Sequence, residues 1–341
     1  MVRWELFLNT ANYEEWDILL SNSEDNNIFQ SYGWGECKRA SGWSPMRYVA
    51  RNKDGAVVAL AQILVKSLPA GIKIGWVPGG PVFYFPQSKE IDHGKMVRAL
   101  IEKVERLSSN TFIRLNSLLL NNYDMAYTFN RYYVKPFFKL NSGYSIWFDL
   151  REPIDMLNGK MTSHHRYYVK KGLAQNIQWR AGNDAQFLHE LLTIHTEMVM
   201  EKKMESLKSN LNDISNLCHT LGNSATIFTG YLNGDAISSC LVLTFGQKAF
   251  YLMAATGRKG RKISASYAMV FNLFKYLKEE GIIYFDFGGV DPSSNIAEGV
   301  NHFKKGFGGR LVEYLGEWEW ASAEWLRWGI NFAIWHRGGR L

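Results

Sequence analysis

The feature that most constrains the fold of this chain is the dipeptide Asn233-Gly234, set between two apolar, β-prone runs at 225–232 and 236–245. A two-residue hairpin turn needs positive φ at both central positions, and Asn followed by Gly meets that need at little steric cost. The two runs are therefore predicted to pair as a β-hairpin. A third strand is expected over 249–256, then a basic loop, Gly257-Arg-Lys-Gly-Arg-Lys262. A helix over 264–280 follows, capped by Ser264 or Ser266, and then a strand over 282–287. Strands and helices in this order predict a layered α/β sheet protein.

The first half shows a similar order. Helices are expected over 12–21 and from an N-cap at Ser31, and strands over 47–50 and 56–64 flank Asp54-Gly55. A strand over 73–77 runs into Pro78-Gly79-Gly80-Pro81, where proline and glycine end a strand and expose backbone. Met96, Leu100, Val104 and Leu107 recur at helical spacing within an expected helix over 89–107. Strands at 112–120 and 145–150 follow. The second half opens with expected helices over 153–175 and 184–208. Helix, strand, strand, helix, strand with a Gly-rich break after a central strand is similar to a GNAT acyltransferase unit. The expected fold class is thus α/β, in layered α+β form, with two tandem GNAT-like domains over 1–150 and 151–319. Residues 320–341 hold Trp320, Trp325, Trp328 and Trp335 among Arg327, His336, Arg337 and Arg340. A helix there has two readings: it packs back on the first domain, or it lies on a membrane surface.

Candidate chemistry concentrates in residues 284–316. A short aromatic strand runs into Gly288-Gly289, and a polar loop follows with turn signals at Asp291-Pro292 and Ser293-Ser294-Asn295. Then His302-Phe303-Lys304-Lys305-Gly306-Phe307-Gly308-Gly309 sets two lysines between phenylalanines and glycines. Glycines admit close approach of backbone to a ligand, and the lysines can meet negative charge. This is either a substrate cleft or a strand, a surface loop and a solvated basic turn. Asp286 and Asp291 could serve as a base. Asp286 could equally cap a turn, and His302 reads as a loop histidine.

The chain has 341 residues, 46% of them hydrophobic and 21% charged, with a net charge of +7. That composition is globular, and the positive surplus suits RNA, a nucleotide diphosphate or an anionic membrane. Cys37, Cys218 and Cys240 are scattered, so neither a zinc site nor a disulfide framework is indicated. A reducing cytoplasm fits, and the N-terminal residues carry no apolar run of signal-peptide length. No Walker loop, GxSxG, HExxH or GxGxxG motif is present.

The motifs together resemble the Fem family, aminoacyl-tRNA-dependent transferases that add amino acids to peptidoglycan precursors. Asp286-Phe-Gly-Gly-Val-Asp291, Phe303-Lys304-Lys305-Gly-Phe-Gly-Gly309 and Glu313-Tyr-Leu-Gly316 are similar to its closing signature. Gln30-Ser31-x-x-Trp34-x-x-x-Lys38 resembles its early motif, and Val77-Pro78-Gly79-Gly80-Pro81 its Pro-Arg-Gly-Pro turn, with Gly79 in place of arginine. His165-Arg166 through Lys170-Lys171-Gly172 resembles its Arg-x-x-x-Lys-Lys helix, and Ser266-Tyr267 the start of a late helix near the substrate channel.

The resemblance implies roles. Lys304, next to Phe303, would lie by the reacting ester. Lys38 would grip the diphosphate of a UDP- or lipid-linked precursor, unless it is a snorkelling surface lysine. Lys202 or Lys203 would stand where the family has an arginine. Tyr267, Gly79 and Gly80 would line the substrate site, and Arg258, Lys259, Arg261, Lys262 and Lys305 would meet tRNA or other phosphate. No metal and no cofactor is expected; aminoacyl-tRNA is a co-substrate. The expected enzyme is a cytoplasmic monomer without the coiled-coil arm, working at the inner face of the plasma membrane if its Trp-rich C-terminus touches lipid. Two alternatives compete with it. One is an acyl-CoA-dependent N-acyltransferase of the same double fold, acting in surface polysaccharide synthesis, although the 258–262 turn lacks the Arg/Gln-x-x-Gly-x-Gly/Ala pattern of a coenzyme A loop. The other is a non-enzymatic protein that docks on membranes or RNA.

Overall fold

A computed structural model describes residues 2–8, 13–85, 91–106, 108–202, 211–293 and 297–337. The chain divides into two compact units, Met1–Gly143 with Glu313–Leu341, and Tyr144–Val312.

In the first unit the strands are β1 (Arg3–Leu6), β2 (Ser44–Arg51), β3 (Val57–Ser67), β4 (Lys73–Pro78), β5 (Val82–Phe83) and β6 (Thr111–Leu120). Neighbours from β1 to β4 are antiparallel, β5 adds to β3, and β4 pairs with β6 in parallel. A parallel pair needs a crossover, here the helix His93–Glu105. Its N-cap is Asp92, which accepts from the Lys95 amide, and Met96, Val97, Leu100, Ile101 and Val104 are buried on its inner face. Ser31 caps the helix Tyr32–Arg39 by accepting from the Trp34 amide, as expected.

The second unit contains β7 (Tyr144–Asp149), β8 (Gln178–Gly182), β9 (Ala225–Leu232), β10 (Asp235–Phe245), β11 (Lys248–Thr256) and β12 (Tyr284–Val290). They run in the spatial order β7-β12-β11-β10-β9-β8. The β9–β10 hairpin turns at Asn233 and Gly234 with φ of 53° and 88°. β11 and β12 are parallel, joined by the helix Ala265–Glu279, whose Met269, Phe271, Leu273, Phe274 and Leu277 are buried. Phe285 and Phe287 of β12 pack beneath it with Phe148 and Phe307. Only residues 203–210 separate the helices Ala185–Lys202 and Leu211–Leu221, which leaves no room for a long arm.

Several elements differ from the sequence expectation. The strand at 145–150 belongs to the second unit, because β7 pairs with β12. The helix expected over 153–175 is two helices, Ile154–Lys160 and Ser163–Leu173, since Thr162 takes an extended conformation and caps the second one. Three strands were not anticipated: the short β5 and β8, and β13 (Arg310–Ala321).

β13 returns the chain to the first unit. From Tyr314 to Ala321 it pairs antiparallel with β6. The final helix, Glu324–His336, then lays Ile330 and Ile334 against Trp43, Leu64, Ile74 and Phe112. A buried polar knot fixes this return. Arg114 on β6 and Glu319 on β13 are both fully buried and ion-paired, and Glu317 lies 3.7 Å from the same guanidinium. Asn331 of the last helix accepts from Arg114 at 2.9 Å and donates to both Glu319 oxygens at 3.0 and 2.9 Å. The packing half of the two readings of residues 320–341 thus describes the inner side of this helix.

Arg114→Met would leave the buried Glu317 and Glu319 carboxylates without that guanidinium, with Arg327, 3.3 Å from Glu319, as the cation that remains. Removing one partner of a buried pair costs about 3–5 kcal/mol. Chemical unfolding should show a loss of that size, and a loss under about 1 kcal/mol would mean that the knot contributes little.

Candidate active site

In the second unit, β12 does not stop at Gly288-Gly289 but runs through to Val290, with a bulge between Asp286 and Gly289. At the bulge Gly288 has φ of 78°, and an added Cβ would come within 2.8 Å of the Tyr251 carbonyl oxygen. Glycine is therefore required there on two counts. The Asp286 carboxylate holds the bulge. It accepts from the Gly288 amide at 2.8 Å, from Trp147 Nε1 at 3.3 Å and from the Ser145 hydroxyl. An acid committed to these donors acts as a turn cap, so its structural role is the capping one weighed from the sequence. Asp291 is also engaged locally, accepting from the Ser293 amide at 3.1 Å and its hydroxyl at 2.7 Å.

The basic segment expected as a turn over 302–309 is the end of a helix, Glu298–Lys305, which stops at Gly306. Helical spacing puts Asn301 on the inner side, where it donates to the Asp291 carbonyl and accepts the Asp291 amide at 2.9 Å. Lys304 reaches back over β12: its Nζ donates to the Gly289 carbonyl at 2.9 Å and lies 5.6 Å from the centre of the Phe287 ring. Burial lowers the Lys304 ammonium to about 8, opposed by the Asp286 carboxylate, which raises it. Lys305 is exposed at the helix end.

His165 locks the backbone beside Lys304. The side chain is fully buried, with Nε2 at 2.9 Å from the Phe303 carbonyl oxygen and Nδ1 at 2.9 Å from the Thr162 hydroxyl. A carbonyl can only accept, so Nε2 carries the proton and Nδ1 accepts from Thr162. Burial holds the His165 pKa down, which keeps the neutral ring that this arrangement uses. The imidazole fills the space where a side chain at residue 306 would begin, with its nearest atom 1.9 Å from an added Cβ. His165 carried a motif in the sequence, but nothing at 165 signalled a partner at 303. Around this point Tyr267 lies 5.2 Å from Phe303, 5.1 Å from His165 and stacks on Tyr168 at 5.1 Å. His164 and His302, both exposed, have ring centres 5.7 Å apart. Phe303 and Tyr267, singled out in the sequence, thus pack on each other, and the half-buried Lys304 is joined to them through Phe287, whose ring lies 6.2 Å from that of Phe303.

The basic segment 258–262 is a short helix, Arg258–Lys262, and two of its four cationic side chains are ion-paired. The Arg258 amide donates to Glu197 at 3.0 Å, Lys259 pairs with Asp235 at 2.7 Å, and Arg261 pairs with Glu201. A cavity of about 400 Å³ adjoins it, lined by Glu190, Glu197, Asp235, Arg258 and Lys259 among others. None of the residues at Lys304 borders that cavity. Lys262 is exposed. Of the lysines set in place of an arginine, Lys203 and the Lys202 side chain lie outside the described residues.

In the first unit Lys38 is half-buried at the end of its helix, with Nζ 4.6 Å from the centre of the Trp34 ring. Gly79 and Gly80 form a packed turn. Asn27 donates to the Gly79 carbonyl at 2.8 Å, and the buried Gln30 donates to the Pro78 and Gln62 carbonyls at 2.7 and 3.1 Å. Among the described residues no group of three or more His, Cys, Asp or Glu side chains could hold a metal ion, and no helix is long and apolar enough to cross a membrane.

With this geometry in hand, the class of fold is clear from solved structures. FemX matches with a TM-score of 0.79 at 17% identity, covering 96% of this chain and 100% of that one. A tandem GNAT protein from the clavulanic acid pathway matches with a TM-score of 0.54 at 11% identity. The FemAB family model matches residues 167–333. The UDP-N-acetylmuramoylpentapeptide-lysine N(6)-alanyltransferase of Weissella viridescens is 20% identical over 298 residues, 82% of this chain and 85% of that protein. The lipid II:glycine glycyltransferase of Staphylococcus saprophyticus is 27% identical over 142 residues, 40% of this chain. The match spans only 34% of that glycyltransferase's length. The chain thus has the fold of FemX and of the tandem GNAT protein, and just under half of it, residues 167–333, matches the FemAB family model.

The Lys304 environment can be titrated directly. After reductive ¹³C-methylation, one lysine resonance assigned through Lys304→Arg should titrate near 8, against roughly 10.4 for surface lysines. Asp286→Asn removes the upward pull and should move it lower still. A wild-type midpoint above about 10 would show that the ammonium is fully solvated.

Proposed function

We propose that this chain transfers an amino acid from aminoacyl-tRNA to an amine on a UDP- or lipid-linked peptidoglycan-type precursor. The observation that carries this reading is the Lys304 ammonium, held at the bulge of β12 by Gly289 over Phe287, a ring that neighbours Phe303 and, through it, Tyr267. The FemAB family match over residues 167–333 and the activities in the relatives' names support it.

The chemistry asks little else of the protein. The neutral acceptor amine attacks the ester carbonyl of the charged tRNA, forming a carbon–nitrogen bond. The tetrahedral carbon then expels the ribose oxygen, which takes up the proton that the amine gives up. The ester is already activated, so aligning the two substrates supplies much of the acceleration. Negative charge grows on the carbonyl oxygen, and the Lys304 ammonium in a partly dry site would stabilise it. Because the Phe303 carbonyl is fixed by His165, the backbone that carries Lys304 is set before substrate arrives. Lys38 would contact the diphosphate of the precursor, and Lys305 and Lys262 are exposed cations available to RNA phosphates.

The coenzyme A reading loses support at the basic helix 258–262. The Glu197 carboxylate occupies the amide of Arg258, where a diphosphate would have to bind, and repels an anion. The enzyme would act in the cytoplasm, and a lipid-linked acceptor would bring it to the membrane.

Transfer from radiolabelled aminoacyl-tRNA to a UDP-linked pentapeptide and to its lipid-linked counterpart tests the proposal. RNase should abolish transfer, and acetyl-CoA should not replace the tRNA. Lys304→Ala should lower turnover by about two decades, roughly 3 kcal/mol, with the fold intact. Lys304→Arg should retain part of the rate and lose the fall in activity above pH 8, since guanidinium stays charged where the Lys304 amine, with its pKa of about 8, does not. Wild-type turnover in Lys304→Ala would refute the assignment.

A further inference from the structure

The last helix, Glu324–His336, has two sides of opposite character. Leu326, Ile330, Asn331 and Ile334 face inward and are buried. Trp325, Trp328, Phe332 and Trp335 face outward and are 59%, 59%, 64% and 59% exposed. Their spacing of three, four and three residues makes one stripe along the helix. Phe137 extends it: the ring is 47% exposed and stacks on Trp328 with centres 3.9 Å apart, while Arg327 covers it at 3.8 Å. An aliphatic core needs no such second face, and large aromatics left in water in one contiguous stripe mark a surface that meets something else.

The chemistry of the stripe identifies what it meets. The tryptophans combine an apolar ring system with an indole N–H, and among the described residues none of the three N–H groups donates to a protein acceptor. Such side chains favour the boundary between headgroups and acyl chains. The charges agree. Lys139, two residues after Phe137, and His336 and Arg337 at the helix end are exposed, and the one acid of the helix, Glu324, is bound to Arg327 at 3.1 Å. The helix has 13 residues, against about 20 needed to span a bilayer. It is also fastened along its inner side by the Arg114–Glu319–Asn331 knot. It can lie on a membrane but cannot enter as a span.

We propose that this face docks in the plane of an anionic lipid bilayer, with Trp325, Trp328, Phe332 and Trp335 in the interfacial layer and Lys139 and Arg337 against anionic headgroups. The docking is independent of the transfer chemistry and is measured with neither tRNA nor acceptor present.

The test is flotation of the full chain with phosphatidylglycerol-rich vesicles and with pure phosphatidylcholine vesicles. The wild type should float with the former, more weakly with the latter, and less at about 0.5 M salt, where the electrostatic part is screened. A Trp325→Ser/Trp328→Ser/Phe332→Ser/Trp335→Ser variant should bind the phosphatidylglycerol-rich vesicles at least roughly tenfold more weakly. Its transfer to a soluble UDP-linked acceptor should stay at the wild-type rate, which separates docking from catalysis. Should that variant fail to fold, bromolipids doped into the vesicles decide the matter on the wild type, whose tryptophan emission should be partly quenched. Unchanged vesicle binding by a folded variant, no binding by the wild type, or no quenching would overturn the proposal. So would a concentration-dependent dimer that the variant abolishes, since the stripe would then face a second copy of the chain.

Discussion

The second unit depends on one carboxylate. Asp286 sits in an aromatic strand and gathers the Gly288 amide, the Trp147 indole and the Ser145 hydroxyl. Those contacts fix a bulge that only glycine can make, and the bulge turns the Gly289 carbonyl toward Lys304. Without the bulge the ladder would continue evenly and that carbonyl would be spent on a neighbouring strand. The setting of the Lys304 ammonium therefore comes from backbone geometry as much as from its own position. His165 makes the matching contribution from the other side, gripping the carbonyl of the residue just before it.

Much of this was legible in the sequence where the cause is local. Asn233-Gly234 fixed a hairpin because two adjacent residues tolerate positive φ, and Ser31 capped its helix because the amide it serves is three residues away. The 284–316 stretch stood out as a candidate site from its alternation of aromatics, glycines and lysines, with a strand, a loop and a solvated basic turn as the other reading. What it became was less legible. Two glycines read as the end of a strand, yet here they are a bulge within it, since Asp286 and the pairing with β7 compensate for their weak strand preference. The lysines read as a turn, yet they end a helix whose inner residue, Asn301, is held by Asp291.

The basic segment 258–262 shows the other limit. Four cations in five residues suggest a phosphate site when read alone. The acids that meet this segment, Asp235 on Lys259, Glu201 on Arg261 and Glu197 on the Arg258 amide, lie on another strand and another helix, and no local pattern announces them. A run of positive charge gives the sign of a surface only after the fold has supplied its neighbours. The final helix is a similar case. Its tryptophans were visible as a group, but their division into a buried aliphatic side and an exposed aromatic side required the packing partners Trp43, Leu64, Ile74 and Phe112.

The return of β13 also bears on how the chain matures on the ribosome. Arg114 is made early, but the acids and the amide that neutralise and bind it arrive some 200 residues later, at separations of 205 for Glu319 and 217 for Asn331. Until then the growing first unit carries an unmatched guanidinium and an unpaired strand where its interior should close. The second unit, which has all its strands within one continuous stretch, can fold while the first still waits. The protein thus completes its N-terminal portion last, and nascent chains stalled before residue 317 would present chaperones with an open sheet.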